Sequence, residues 1–371
     1  MNGLEVYYDR LDEIKQAVER YFTIEDVFYE AGTLTFLITD KEIKERFKRL
    51  YRDLKKLGFI PAARKQDGKI VIRVFRYREP VFKPLKMKNL PLILFLVTFV
   101  IVAADGFLRA SSPAYEIFYG KTAFIDKLAE AIFFTVALIM IIGLHELGHL
   151  IAAKKGGMEA TLPYFIPGIP GIMPTFGAVI FQKEPIVNRD EMFDLGISGP
   201  VMSFVISLLI ALFAIRTSVI WMTPDEYQKA IETIRSMHGV FLPTPLILDL
   251  LIYLFRVPGK LPFVSGAVMF AVWLGFFITA LNLFPIWQLD GSKIFRSLLT
   301  AKQHRIANYV SLAILALAGH VLIALLFFFL MSRTPDIPPL DEVSPLSRGR
   351  KLAFIGVFLM IALSFVPAIY S

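Results

Sequence analysis

A His-Glu-x-x-His motif at residues 145–149 lies inside an apolar run, and this placement constrains the fold more than any other feature. Within residues 131–153 the only ionisable side chains are those of His145, Glu146 and His149. At ~1.5 Å per residue this segment forms a helix of about 34 Å, which can cross a bilayer core of ~30 Å. Ionisable groups at mid-membrane cost ~2.5 kcal/mol or more, so we expect a functional site here rather than polar residues that only pack helices.

The spacing of the two histidines favours a shared metal ion. On a helix, His145 and His149 lie about 40° apart around the axis and roughly 6 Å apart along it, so both imidazoles can reach one ion. This motif is typical of zinc sites in which two neutral imidazoles bind Zn²⁺ and the glutamate takes a proton from the attacking water. We therefore predict one Zn²⁺ per chain, with Glu146 as the catalytic base.

The composition indicates a polytopic α-helical membrane protein. The 371 residues are 56% hydrophobic and contain no cysteine, which excludes disulfides, thiolate metal sites and a cysteine nucleophile. Residues 1–88 carry 20 Lys and Arg against 14 Asp and Glu, a surplus of six. This surplus favours a cytoplasmic face beside anionic membrane lipids rather than nucleic acid as a partner. The polar start at residues 1–10 predicts no cleavable signal peptide.

Residues 1–82 are predicted to form a small cytoplasmic α+β domain with the element order αββαββ. The pattern indicates a helix over 11–21, a hairpin over 27–38 turning at Ala31-Gly32, and a second helix capped by Asp40 that ends at Gly58. A second hairpin turns at Asp67-Gly68. No motif distinguishes a regulatory or docking role of this domain from that of a passive cap.

Residues 83–371 are predicted to form the transmembrane domain, with its core at 128–300. Lysines at 83, 86 and 88 precede the first apolar run, which places the N-terminal domain in the cytoplasm of a cell-membrane protein. About six transmembrane helices are expected, over residues 89–104, 131–153, 195–215, 261–289, 306–332 and 352–371. On this path the segment 245–255 is interfacial, and the basic residues at 333, 348, 350 and 351 lie outside, against the positive-inside rule. His320 is interpreted as a packing or pore-facing residue rather than a ligand.

The segment 158–181 has four prolines among apolar residues, which is too broken for a helix and too apolar for an ordinary loop. Non-helical backbone survives at membrane depth only where protein covers it or where it lines a wet cavity. We expect a membrane-embedded β-hairpin beside the zinc, with a strand at Gly177, Ala178, Val179 and Ile180. An apolar surface loop is the alternative.

Asp290 is the candidate for the third zinc ligand that a catalytic site needs. Pro285 and Gly291 flank it and break the helix, which lets the carboxylate turn inward. The topology returns Asp290 to the depth of His149 if residues 216–260 do not cross the membrane. Zn²⁺ with ionised Asp290 and Glu146 sums to zero charge, which is favourable in a low dielectric.

Together these motifs resemble the site-2 protease family of intramembrane zinc metalloproteases, in particular its branch without PDZ domains. The resemblance rests on the motif at 145–149, Ser198-Gly199-Pro200, Asn282-x-x-Pro285 and Leu289-Asp290-Gly291, and it covers about residues 128–300. The proline- and glycine-rich insertion with Thr175-Phe176-Gly177-Ala178 resembles the membrane-embedded β-hairpin of that branch. The chain departs from the family pattern in two respects. It has no recognisable CBS domain, and Leu283 follows Asn282 where many members of the family have proline.

The resemblance implies hydrolysis of transmembrane segments of membrane proteins near the cytoplasmic face, as in regulated intramembrane proteolysis. It also implies that Asn282 orients the peptide or steadies the oxyanion, and we expect the hairpin strand to pair with an unwound substrate. A non-proteolytic membrane zinc transporter or scaffold, and an enzyme acting on a small lipidated peptide, are the alternatives.

Overall fold

The computed structural model describes residues 10–30, 32–77, 89–120, 122–237, 241–333 and 336–368. Helices dominate this part of the chain, and three small antiparallel sheets accompany them. The lysines at 83, 86 and 88, the polar start at residues 1–9 and Ala31 of the predicted turn lie outside the described residues.

The N-terminal part has the element order predicted from the sequence. It contains α1 (Leu11–Glu19), β1 (Ile24–Glu30), β2 (Thr33–Ile38), α2 (Lys44–Lys56), β3 (Phe59–Gln66) and β4 (Lys69–Arg76). The four strands form an antiparallel sheet in the order β1-β2-β4-β3, and both helices bury their apolar faces in one core with it, around Ile14, Phe36 and Phe47.

Asp40 does not cap α2 as predicted, because the helix begins at Lys44, after Ile43. The Asp40 carboxylate instead accepts from the backbone N–H of Thr23 and from Arg46 Nη1, each at 2.7 Å. It therefore joins the end of β2 to the loop before β1.

Within the described ranges, three helices are long and apolar enough to cross a membrane, namely α3 (Leu90–Ala110), α5 (Phe124–Gly156) and α6 (Arg189–Ser218). A short helix α4 (Pro113–Tyr119) links the first two. After α6 the chain forms β7 (Val219–Met222), α7 (Pro224–Ser236), α8 (Leu246–Leu254) and β8 (Leu261–Val264), and β7 pairs with β8. With 9 residues, α8 is about 14 Å long and too short to span a bilayer, as the interfacial prediction requires.

The apolar segment predicted as one span over 306–332 is two helices, so this prediction is wrong. The chain continues from α9 (Ala267–Leu283) through α10 (Asp290–Leu298) into α11 (Ala301–Leu317) and α12 (Val321–Arg333), and ends with α13 (Arg348–Ser364). The turn between α11 and α12 contains Gly319 with φ of +92°, a conformation that favours glycine. This turn meets the end of α13, where Ala368 N donates to Ala318 O at 2.7 Å.

The proline-rich segment forms the predicted β-hairpin, with β5 (Tyr164–Ile169) antiparallel to β6 (Met173–Val179). The register shifts between Phe165 and Pro167, so that two residues of β6 lie opposite one of β5. Gly177 takes φ of +90° at this bulge. Among the described residues the only strand paired with β6 is β5, so its other edge remains available.

The N-terminal domain is docked on the membrane helices by paired charges and by backbone hydrogen bonds. Lys44 Nζ lies 2.8 Å from Asp190 Oδ2, and Lys48 Nζ lies 2.6 Å from Glu191 Oε1 at the start of α6. The segment 340–342 runs between the edge of β3 and residues 186–188, forming parallel bridges with both.

The basic residues after α12 therefore lie on the side of the N-terminal domain, which corrects the prediction that they lie on the opposite side. Arg350 Nη1 is 3.0 Å from Asp190 Oδ2, the same carboxylate that binds Lys44. The helical hairpin α11–α12 accounts for this position because it returns the chain to the side from which it left.

Candidate metal centre

The two histidines of the motif lie one turn apart in the second half of α5, and both are buried. His145 Nε2 and His149 Nε2 are 3.1 Å apart. Asp290 Oδ2 lies 3.1 Å from His145 Nε2 and 3.0 Å from His149 Nε2. Three potential ligand atoms from residues 145 positions apart in the sequence therefore meet at one point.

Hydrogen bonds at the far side of each ring orient the two imidazoles. His149 Nδ1 donates to the carbonyl oxygen of Leu195 at 2.8 Å, and because a carbonyl only accepts, Nδ1 carries the proton. With this tautomer, a neutral ring would present the lone pair of Nε2 to Asp290. His145 Nδ1 lies 3.2 Å from Ser203 Oγ, which contacts Thr279 Oγ1 at 2.9 Å.

The helix α6 reaches the histidines closely because it has a glycine at the point of contact. A Cβ atom at Gly199 would lie 2.3 Å from His149 Nε2 and 2.8 Å from His145 Nε2. A Cβ at Gly148 would lie 2.5 Å from the carbonyl oxygen of Ser198. The small residues at 198–199 thus allow the close helix contact that the sequence predicted.

Asp290 enters the site from a break between two helices. α9 ends at Leu283, and α10 begins at Asp290, so the carboxylate projects from the first turn of a new helix. Gly291 fits against the end of α9, since a Cβ there would lie 2.2 Å from the carbonyl oxygen of Phe284. The second carboxylate oxygen, Oδ1, is 3.1 Å from Lys293 Nζ.

The three groups border a cavity of about 550 Å³ between α5, α6, the β-hairpin and the α9–α10 break. It is lined by all the other residues predicted for the site, namely Glu146, Gly177, Ala178, Val179, Ile180 and Asn282. His320 lies elsewhere, with Nε2 2.6 Å from the carbonyl oxygen of Val366 and its ring beside Phe277. The packing interpretation of His320 is therefore confirmed.

Sequence reasoning did not predict that Ser203 and Lys293 belong to the site. Lys293 carried a detectable signal, because it follows Asp290 by three residues and so shares its helix face. Ser203 carried none, because its contact with His145 depends on how α5 and α6 pack.

The donor set fits Zn²⁺. Two imidazole nitrogens and one carboxylate oxygen form a common catalytic zinc site, with the fourth position left for water or substrate. With metal–ligand distances of ~2.0–2.2 Å, tetrahedral ligands lie about 3.3–3.6 Å apart, a few tenths of an ångström more than the observed 3.0–3.1 Å. A neutral His149 would turn the lone pair of Nε2 towards a carboxylate oxygen, and a cation shared by these two acceptors would remove their repulsion. Within the described residues this is the one group of three such side chains able to share an ion.

A scaffold of membrane-length apolar helices with a His-Glu-x-x-His helix and a distant third ligand defines the class of membrane-embedded zinc metallopeptidases. Comparison with known proteins then gives the family. The model of peptidase family M50 matches residues 133–326, more than half of the chain, and the chain belongs to that family. The suspected relationship to the site-2 proteases is thereby confirmed.

Curated proteins similar to this chain at low identity are named as probable zinc metalloproteases. "Probable zinc metalloprotease EGY1, chloroplastic" from Arabidopsis thaliana is 26% identical over 260 residues, covering 69% of this chain and 45% of the relative. "Probable zinc metalloprotease EGY2, chloroplastic" from the same plant is 24% identical over 63% of this chain and 42% of the relative. The chain therefore spans less than half the length of these relatives. No solved structure matches the chain.

Proposed function

We propose that this chain is an intramembrane zinc endopeptidase that hydrolyses transmembrane segments of membrane proteins. The observation that carries the proposal is the convergence of His145 Nε2, His149 Nε2 and Asp290 Oδ2 within 3.1 Å of one another, beside a buried glutamate, in a wall of apolar helices. A site of this charge at membrane depth serves substrates that lie at the same depth.

Each polar group of the site has a distinct role in this proposal. His145, His149 and Asp290 hold Zn²⁺, which when bound supplies Lewis acidity to the scissile carbonyl and to water. Glu146 takes the proton of the attacking water and delivers it to the nitrogen of the leaving amine. Lys293 holds the second oxygen of Asp290 and so fixes the direction in which that carboxylate points.

The β-hairpin provides a means of holding an unwound substrate. A transmembrane helix hides its scissile amide in its own hydrogen bonds, and the groups freed by unwinding need partners in a nearly dry site. Gly177–Ile180 line the cavity, and the unpaired edge of β6 offers backbone donors and acceptors for β-addition. Asn282, which also lines the cavity, orients the peptide or steadies the developing oxyanion. Substrates should carry Gly, Pro, Asn or Ser near the cut, where unwinding costs least.

The orientation follows from the charges. The N-terminal domain lies in the cytoplasm in this proposal, and cleavage falls in the cytoplasmic half of the substrate span. Because the basic residues at 348–351 lie beside the N-terminal domain, they now obey the positive-inside rule. Five helices then cross the cell membrane, α3, α5, α6, α9 and α13, and the hairpin α11–α12 enters the bilayer and returns in place of the sixth predicted span.

The test is to separate metal binding from proteolysis by mutation. Purified full-length protein in proteoliposomes is assayed for zinc content and for cleavage of a panel of single-span membrane proteins. Glu146→Gln should keep zinc and lose cleavage, because the amide cannot accept the proton but preserves the shape. His149→Ala and Asp290→Ala should lose both, and His320→Gln should lose neither.

Two results would contradict the assignment. Cleavage by Glu146→Gln at the wild-type rate would refute the proposed mechanism. Stoichiometric zinc in a wild-type protein that cleaves no substrate would favour a metal transporter or scaffold.

A further inference from the structure

A buried carboxylate in α3 has no part in the chemistry described above. Asp105 is completely buried, and it lies in a helix that is otherwise apolar over most of its length. An ionisable group in a membrane helix is costly unless it is paired, and it marks a functional position by default. Its contacts show what it holds.

Both oxygens of Asp105 accept from Arg109 within α3, and Oδ1 also accepts from a group outside that helix. Oδ2 accepts from Arg109 Nε at 2.6 Å, one turn along the same helix. Oδ1 accepts from the backbone N–H of Gly171 at 2.6 Å. Arg109 in turn places its guanidinium 3.8 Å above the ring of Phe270 in α9, so the ion pair is itself held in place.

Gly171 lies in the turn that joins β5 to β6, and Asp105 therefore fixes the tip of the β-hairpin to α3. A hydrogen bond to a carboxylate is about twice as strong as one between neutral groups. At the base of the hairpin its two arms are joined to each other by backbone hydrogen bonds, from Thr161 N to Phe181 O at 3.0 Å and from Lys183 N to Glu159 O at 2.9 Å. The cavity-lining part of β6 lies between this paired base and the tip that Asp105 holds.

We propose that Asp105 is a positioning residue, which holds the hairpin tip to α3 so that the edge of β6 stands at a fixed distance and register from the metal ligands. This inference rests on the proposed function, in which that edge pairs with the substrate. A second contact supports the same coupling, since the rings of Phe95 in α3 and Phe165 in β5 pack edge to face at 5.2 Å. α3 and the hairpin thus form one unit, and a displacement of α3 carries the hairpin with it.

The experiment compares Asp105→Ala and Asp105→Asn with Thr98→Val, a matched control on the same helix. Thr98 is equally buried, and its hydroxyl has no hydrogen-bond partner among the described residues. Full-length proteins are assayed with a single-span membrane substrate, and the cut sites are mapped by mass spectrometry. Asp105→Ala should lower kcat/KM by about ten-fold or more and spread the cut over neighbouring bonds, with unchanged zinc content. Asp105→Asn should give a kcat/KM and a spread of cut sites between those of wild type and Asp105→Ala, because its amide oxygen can still accept from Gly171.

A second measurement needs no substrate. The chain has no cysteine, so spin labels can be placed at Leu92 in α3 and at Ile172 beside the hairpin tip, both exposed. The distance distribution between them should be narrow in wild type and in Thr98→Val, and broad in Asp105→Ala. An unchanged narrow distribution, or a single unchanged cut site, in both Asp105 variants would overturn the inference. A narrow wild-type distribution that broadens in Asp105→Ala, in a protein that cleaves nothing, would support the tether and count against the proposed function alone.

Discussion

Replacing Gly199 by alanine adds one methyl group at the point where α6 meets the two histidines, and we expect it to remove the metal. The new Cβ would lie 2.3 Å from His149 Nε2, whereas real Cβ contacts essentially never fall below 3.0 Å. The helix or the ring must therefore move by at least 0.7 Å (3.0 − 2.3). Metal sites tolerate displacements of about 0.5 Å, so the ligand set no longer converges.

The size of the effect can be bounded. Disturbing the groups that orient metal ligands costs about 10–100-fold in metal affinity, and moving a ligand itself should cost at least the upper end of that range. Alanine has the higher helix propensity, by ~0.5–1 kcal/mol relative to glycine, so α6 itself is not weakened. Loss of zinc from a protein that stays folded is thus the expected result.

The assay is zinc stoichiometry by elemental analysis, with affinity from competition against a chelator of known strength. Gly143→Ala is the matched control, because it lies on α5 two residues before His145, and the nearest atom to its Cβ would be 3.9 Å away. That variant should bind zinc as wild type does. Wild-type affinity in Gly199→Ala would show that α6 does not approach the histidines as closely as described.

Four further outcomes can be measured. Ser203→Ala should weaken zinc binding by about ten-fold because it frees the His145 ring, whereas Ser207→Ala, on the same helix and without a hydrogen-bond partner among the described residues, should not. Ile180→Pro should impair cleavage of membrane substrates at normal zinc content, because it removes a backbone donor beside the substrate edge, and unchanged turnover would make the hairpin a structural cover. Cysteines placed at positions 60, 300 and 349 should be labelled from the cytoplasmic side, and one at position 230 only from the other side. If position 349 were labelled from the same side as position 230, the helical hairpin α11–α12 could not return the chain to the side from which it left. The hydroxyl of Tyr21 donates to Asp53 at 2.7 Å and lowers the pKa of that carboxyl, so its stabilising contribution is present above the unfolded-state pKa of ~3.9 and is lost as the pH falls through the folded-state value. Asp53→Asn should therefore reduce the loss of amide-exchange protection that acidification below about pH 4 causes in α2. Protection that depends on pH identically in the variant and in wild type would exclude this linkage.

The three side chains that meet in the candidate metal centre could be predicted because their signals are local. Helical spacing brings His145 and His149 to one face, and a proline and a glycine around Asp290 predict the break from which it projects. The element order of residues 11–76 was predictable for the same reason, since turn residues and apolar periodicity are read within a few positions.

The errors arise where distant parts of the chain decide the outcome. Hydropathy depends on composition and does not show where the chain turns. The apolar residues of α11 and α12 were therefore predicted to form one span, although a turn at Gly319 separates the two helices. The first span was predicted to end before Asp105, where the run of uncharged residues ends. The helix α3 nevertheless continues to Ala110, because Asp105 and Arg109 form an ion pair within it. The hydrogen bond from Gly171 to Asp105 joins residues 66 positions apart, so no pattern of neighbouring residues could predict it.

The segment 340–342 has a consequence for biosynthesis. It hydrogen-bonds both to Ala63 at the edge of β3 and to Ile186 and Val187 before α6, so three stretches from the beginning, middle and end of the chain share one set of backbone bonds. A nascent chain that has emerged only as far as α12 has the complete ligand set but lacks the strand that joins the N-terminal domain to α6. Until then the edge of β3 is unpaired and open to association with other chains. Residues up to 342 must therefore be synthesised before the domain of residues 11–76 can take its final place.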